Sequence, residues 1–303
     1  MFSPHKNKTT TSQRWSGAES DKKLSINDNA VRLPFFSQTE RAVRDKHSSN
    51  THTRGRNDGL IVHLFYYGKI HERILSNIHN TLKYNKKNKV MFWVDDMARA
   101  SLQTLPLNYE NVEMHHADTL KSKREGLNSH TQEKLEELYD RVANADVKEK
   151  GKCLSDLSRL LALYHYGGLY LDVDVVVNNE LSENNVFSES NFKTHISIEN
   201  AIVNVDFYDA IGIKDAFDDD LRDVLAELAE DYDKGYVTQP GVPGELVRIK
   251  PLIKRKLKDL LSDEHIDDAL SEAELSKDIL AVIADKLQSL DIGGGGEKGA
   301  EWI

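Results

Sequence analysis

Two aspartates stand one residue apart in the run GLYLDVDVVV: Asp172 and Asp174. If they occupy a strand, both side chains point to the same face. Two carboxylates do not share an apolar core without partners or a cation. At the carboxyl edge of a parallel strand they would project into the crevice where α/β proteins bind ligands. Oxygen donors of this kind suit Mg2+ or Mn2+. Such a cation can bridge a carboxylate and two phosphates and stabilise charge growing on a departing diphosphate. The same spacing also fits a solvated strand end or a capping turn, so the neighbouring residues matter. Asp156 and Arg159, three apart, can share one helical face. They could form a simple surface ion pair. They could instead act on a ligand, with Asp156 accepting bonds from its hydroxyls and Arg159 binding a phosphate or orienting a carboxylate.

Regular elements must hold these residues. Leu157, Leu160, Leu161 and Tyr164 recur at helical spacing, Ser155 is a candidate cap, and Gly167 and Gly168 end the helix before LYLDVDVVV, which reads as a strand. Upstream, LIVHLFYY after Gly59 reads as a first buried strand. HERILSNIHNTLKYN places Ile74, Ile78 and Leu82 on one helical face, and VMFWV reads as a second strand ending at Asp95 and Asp96. Strand, helix, strand in this order begins a mainly parallel α/β sheet. NVEMHH reads as a third strand, and Lys121 to Lys150 as a polar helical insertion with a weak stripe of Leu135, Leu138 and Val142. Short elements around VNVDFYDAIGI, a helix near 218–231, a Gly/Pro loop TQPGVPG and a charged helical stretch over 245–290 follow.

Composition narrows the classes. The chain has 303 residues, enough for one large domain, or one with a small appendage. Residues 1–56 hold eleven Lys/Arg against five Asp/Glu and are expected to be disordered; the rest holds 29 against 45. So acidic a folded part argues against a broad nucleic-acid surface. No run approaches the ~18 apolar residues of a membrane span. The polar start, MFSPHKNKTTTSQRW, does not read as a secretory signal peptide. Cys153 is the single cysteine, so no internal disulfide is available, and it reads as a small buried thiol.

The run SDLSRLLALYHYGGLYLDVDV resembles the sugar-binding region of DxD glycosyltransferases. These include the glucosyltransferase domains of large clostridial cytotoxins, related bacterial toxin domains that modify host GTPases, and yeast-type initiating mannosyltransferases. The resemblance is strong over 155–177 and moderate over 60–96. It implies a GT-A type nucleotide-sugar-binding fold with a mainly parallel central sheet and helical insertions, spanning 57–292. It implies Mn2+ or Mg2+ and a UDP-sugar donor. Asp156 and Arg159 look like the sugar-binding pair. Asp172 and Asp174 look like the metal carboxylates, with Asp174 the more direct ligand and Asp172 also reaching sugar and ribose.

HLFYYGK aligns Tyr66 with an aromatic that stacks on uracil in toxin-like members, although a sheet-core role for Tyr66 is equally open. ENAIVNVDF puts Asn200 near the donor or in a plain turn. TQPGVPG resembles an acceptor-side loop with Gln239 in place of its glycine. GGGG at 293–296 reads as too flexible to be a packed element, either a linker or the hinge of a terminal segment, 293–303. In that segment Trp302 stands where some toxin-like members cover the diphosphate, with Glu301 in place of a small polar residue.

These likenesses imply retaining transfer of glucose or N-acetylglucosamine to a hydroxyl of a host protein, with a small GTPase as one candidate, by a secreted bacterial effector or toxin. A cytoplasmic enzyme of polysaccharide or glycolipid synthesis would use the same donor core, and an inactive sugar-nucleotide-binding module is the non-enzyme alternative. A phosphotransferase of the haloacid dehalogenase type also uses DxD, but the preceding SDLSR and GG argue against it.

Overall fold

In the computed structural model, the described residues are 59–102, 109–146, 149–188, 190–199 and 202–237, with 251–252, 255–256 and 292–293. The expected disordered 1–56, the loop TQPGVPG, Asn200 and Trp302 lie outside them. The apolar and aromatic run IVHLFY forms β1 (Ile61–Tyr66), buried along nearly its whole length. The amphipathic helix α1 (Glu72–Tyr84) follows and buries Ile74, Ile78 and Leu82. β2 (Lys89–Val94) then returns parallel to β1, as Ile61↔Lys89 through Tyr66↔Val94. Asp95 next opens α2 (Asp96–Leu102) by accepting from the Ala98 N–H at 2.7 Å. β3 (Val112–His116) adds a further parallel strand, and a 3-10 turn (Ala117–Leu120) leads toward α3 (Ser129–Ala143).

The fourth strand of the sheet depends on a sharp turn. α4 (Lys150–Tyr166) runs into Gly167 and Gly168, whose φ angles are 63° and 100°. An added Cβ at Gly168 would collide with the Ile61 carbonyl, so the turn requires glycine there. β4 (Gly168–Leu171) then pairs parallel to β1. Buried His63 holds this turn. Its Nε2 donates to the Gly167 carbonyl at 2.8 Å, while its Nδ1 accepts from the Trp93 indole at 3.2 Å. That assignment uses both nitrogens of a neutral ring, and burial pushes the imidazole down to about 4.

After β5 (Val176–Val177) and the short α5 (Glu183–Val186), the hairpin β6 (Phe192–Glu199) and β7 (Ile202–Ile213) completes the sheet. The strand order is β3-β2-β1-β4-β7-β6, with β7 antiparallel to both its neighbours. The expected α/β class with a mainly parallel sheet is therefore present. α6 (Asp219–Asp233) packs with α3 and α4 on one face of the sheet. α1 packs on the other. No helix among the described residues is long and apolar enough to cross a membrane.

Three local expectations are corrected. Ser155 does not cap α4. The helix begins five residues earlier, at Lys150, and Ser155 lies buried inside it. Nor does LYLDVDVVV form one strand. β4 stops at Leu171, and a turn closed by the Val175 N–H on the Asp172 carbonyl at 3.2 Å carries the aspartates. Finally, Gly293 is not free of regular structure. With Ile292 it forms β8, antiparallel to β5.

Candidate active site

Strands β1, β2 and β4 run in parallel, so Tyr66, Asp95 and Asp172 arrive at one edge of the sheet. α4 enters that edge from behind. It leaves the turn at Gly167 and packs back along β4. Asp156 lies ten residues before the end of the helix, about 15 Å of rise; Asp172 lies four residues beyond Gly168, about 13 Å along a strand. The lengths match, and the sugar-pair candidates reach the level of the DVD turn.

α4 is buried at every position from Cys153 to His165, which makes its polar residues unusual. His165 Nε2 has no hydrogen-bond partner among the described residues, whereas Asp156 and Arg159 pair with each other. Arg159 donates to Asp156 Oδ1 at 2.7 Å, and both side chains are only 4 % exposed. The surface ion pair that the spacing also allowed is thus a buried one. The Arg159 Nε donates to the Ser155 carbonyl at 3.2 Å. Its guanidinium stands over the Tyr170 ring at 4.3 Å, a cation–π contact.

Asp172 stands half-buried at the end of β4. Its N–H donates to the Asp209 carbonyl at 2.8 Å, and its carboxylate accepts from the Val173 N–H at 2.7 Å. Burial first, and the charge of Asp174 second, hold its carboxyl above the usual carboxylate range, against the pull of Arg159. Asp209 adds a smaller negative contribution. Asp156, Arg159, Asp172 and Asp174 therefore form one electrostatic group.

That group fits a divalent cation chemically. Its donors are carboxylate oxygens, and their mutual repulsion is what a cation would relieve. Among the described residues, no three His, Cys, Asp or Glu side chains are grouped to hold a metal by themselves. Asp172 and Asp174 are the residues that would hold it.

Tyr66 is placed differently. It lies at the same edge but is only 4 % exposed, in the apolar cluster that also contains Ile70, Ile74 and Val94. Its hydroxyl donates to the Lys69 carbonyl at 3.2 Å. Stacking on a base would require a face of this ring to be uncovered.

Two residues join the site that the sequence did not single out. Tyr170 was hidden in an aromatic strand, where its contact with Arg159 has no local signature. Asp209 reaches Asp172 because β4 pairs antiparallel with β7, as Leu171↔Ala210, and that pairing links segments nearly forty residues apart.

Comparison with known proteins bears on this same region. Residues 71–193 match the family described as glycosyltransferase sugar-binding region containing DXD motif. The match takes in α4, β4 and both aspartates. A comparison with curated protein sequences finds no match. Among solved structures, "PaToxG Glycosyltransferase" is similar at 17 % identity and a TM-score of 0.48, over 80 % of this chain and 82 % of that one. The ligand-free glycosyltransferase domain from the YGT toxin is similar at 11 % identity and a TM-score of 0.41, over 75 % of each chain. Its UDP-bound form gives 11 % identity and 0.38, over 76 % of this chain and 75 % of that one.

Proposed function

We propose that the protein is a metal-dependent, retaining glycosyltransferase. It transfers glucose or N-acetylglucosamine from a UDP-sugar to a hydroxyl of a host protein, as a secreted bacterial effector or toxin. The observation that carries this reading is the buried Asp156–Arg159 pair brought to the Asp172/Asp174 turn at the carboxyl edge of the sheet, inside the stretch that matches the DXD sugar-binding family.

In this reading Asp156 accepts bonds from sugar hydroxyls. Arg159, its plane fixed between Asp156 and Tyr170, presents its remaining N–H groups to the sugar phosphate or to Asp172. Asp172 and Asp174 would hold Mn2+ or Mg2+, which supplies positive charge to the leaving diphosphate. Among the described residues, none of the site's carboxylates is assigned here as a nucleophile. Retention then fits a front-face reaction in which the leaving phosphate takes the acceptor proton, and catalysis rests on positioning and electrostatics.

Tyr66 and Asn200 are proposed to face the base and the sugar. Trp302 is proposed to cover the diphosphate, and one observation favours it. β8 ties Gly293 to Val176, two residues past Asp174. Nine further residues reach Trp302, and they span at most about 30 Å, so its ring is within range of the turn. A small GTPase is one candidate acceptor.

The test is incubation of the full chain with UDP-glucose or UDP-N-acetylglucosamine, Mn2+ and host-cell lysate, read by mass spectrometry. A single hexose or N-acetylhexosamine increment on a host protein is expected. Transfer only to lipid or polysaccharide would move the enzyme to envelope synthesis. Nucleotide binding without donor turnover would make it a binding module.

A further inference from the structure

Ser158 stands between Asp156 and Arg159 on α4 and is fully buried. Its hydroxyl meets the Tyr67 hydroxyl at 2.7 Å. Tyr67 directly follows the last residue of β1 and is itself buried. In the same cluster Tyr139 of α3 donates to Asp118 Oδ1 in the 3-10 turn at 3.0 Å. Either hydroxyl of the Tyr67–Ser158 pair can be the donor. The bond joins the end of β1 to α4.

Apolar side chains would suffice to pack β1 against α4. A buried hydroxyl pair adds direction, because its bond has a preferred length and angle while apolar contacts tolerate sliding. A second tie from α4 to the sheet is next to it, where the Arg159 guanidinium stands over the Tyr170 ring of β4 at 4.3 Å. Asp156 lies two residues before Ser158 on the same helix.

We propose that Tyr67 is a positioning residue for the donor sugar. Through Ser158 it sets the rotation and depth of α4, and so where Asp156 and Arg159 stand relative to Asp172 and Asp174. The proposal rests on the glycosyltransferase reading above.

The test uses the full chain with Mn2+ and compares Tyr67→Phe, Ser158→Ala, the double variant and Ser158→Thr. Calorimetry gives Kd for UDP and for UDP-glucose or UDP-N-acetylglucosamine, whichever the wild type binds, and a melting curve accompanies each. UDP lacks the sugar that the α4 pair would contact. Tyr67→Phe is therefore expected to weaken UDP-sugar about fivefold, the worth of one hydrogen bond, with UDP changed less than about twofold. Ser158→Ala should match it, and the double variant should be no worse than the poorer single one. Ser158→Thr, which keeps the hydroxyl, should restore wild-type binding. A lower melting temperature with an unchanged ratio of the two Kd values would make the Tyr67–Ser158 bond structural only and overturn the proposal; equal weakening of UDP and UDP-sugar would overturn it too. Should Tyr67→Phe not fold, Ser158→Ala carries the same comparison. A wild type that binds neither ligand removes the donor reading itself, and that failure is visible before any variant is made.

Discussion

On one face of the sheet, Leu60, Val62 and Leu64 from β1 and its lead-in join Ile74, Ile78 and Leu82 of α1 in an almost wholly apolar cluster. On the other, His63, Tyr67, Trp93 and Tyr170 face a helix that carries Ser155, Asp156, Ser158 and Arg159, all of them buried. Adjacent residues of the same strand thus serve two kinds of interior. The apolar face gains stability from area removed from water and tolerates repacking. The polar face gains little net stability from its bonds, but each group left without its partner is costly. Such a layer is worth keeping where helix position matters, and on this face it leads to the DVD turn.

The largest expected effect lies on the polar face. Arg159→Ala leaves the Asp156 carboxylate buried without its ion pair and should cost about 3–5 kcal/mol in denaturant unfolding, together with sugar transfer. Arg159→Lys should recover part of the stability but little transfer, because an ammonium loses the planar fit over Tyr170. Ile78→Ala on the apolar face should cost about 2–4 kcal/mol, yet leave donor affinity per folded molecule unchanged. A changed UDP-sugar to UDP ratio in Ile78→Ala would break the comparison between the faces.

Acid should separate them further. The His63 imidazole lies at about 4 in the fold against an ordinary 6.5. The unfolded chain binds the extra proton between those values, so this contribution is complete above pH 6.5 and is lost as pH falls toward 4. It amounts to at most about 3 kcal/mol. His165, also lowered to about 4 by burial and by Lys123, acts in the same window. Unfolding curves from pH 7.5 to 4.5 should show the fall, and His63→Gln should flatten part of it. A slope identical in His63→Gln would exclude this histidine as a source. The smallest effect is Tyr66→Phe, which removes the hydroxyl bond to Lys69 and should cost about 1 kcal/mol. If the ring meets a base, UDP affinity survives in Tyr66→Phe and falls in Tyr66→Ala beyond any loss of stability.

Much of the scaffold was legible because its signals are local. The short apolar and aromatic run IVHLFY, the spacing of Ile74, Ile78 and Leu82 and the glycine pair at 167–168 each report a run, a period or a turn that adjacent residues impose. The Asp156–Arg159 pair was legible for the same reason. Its burial was not, since that depends on α3 and α6 covering α4 from distant parts of the chain. The break between β4 and β5 was missed because LYLDVDVVV has strand propensity throughout, and the turn is closed by bonds that propensity does not register. β8 was unreadable from GGGG, because pairing with Val176 is decided by a partner more than a hundred residues away. The Ser158–Tyr67 bond joins residues 91 apart in the chain, and no spacing in the sequence announces it.

The central claim is that Asp172 and Asp174 are the carboxylates of a donor site. UDP-sugar turnover by wild type and Asp174→Asn, each with Mn2+ and with EDTA, tests it most directly. The account predicts that wild type turns over donor with Mn2+ and loses that activity in EDTA. It predicts that Asp174→Asn melts within a few degrees of wild type and loses at least about 100-fold in turnover, the scale of removing one electrostatic contributor. A folded Asp174→Asn that turns over donor at the wild-type rate in saturating Mn2+ would contradict it.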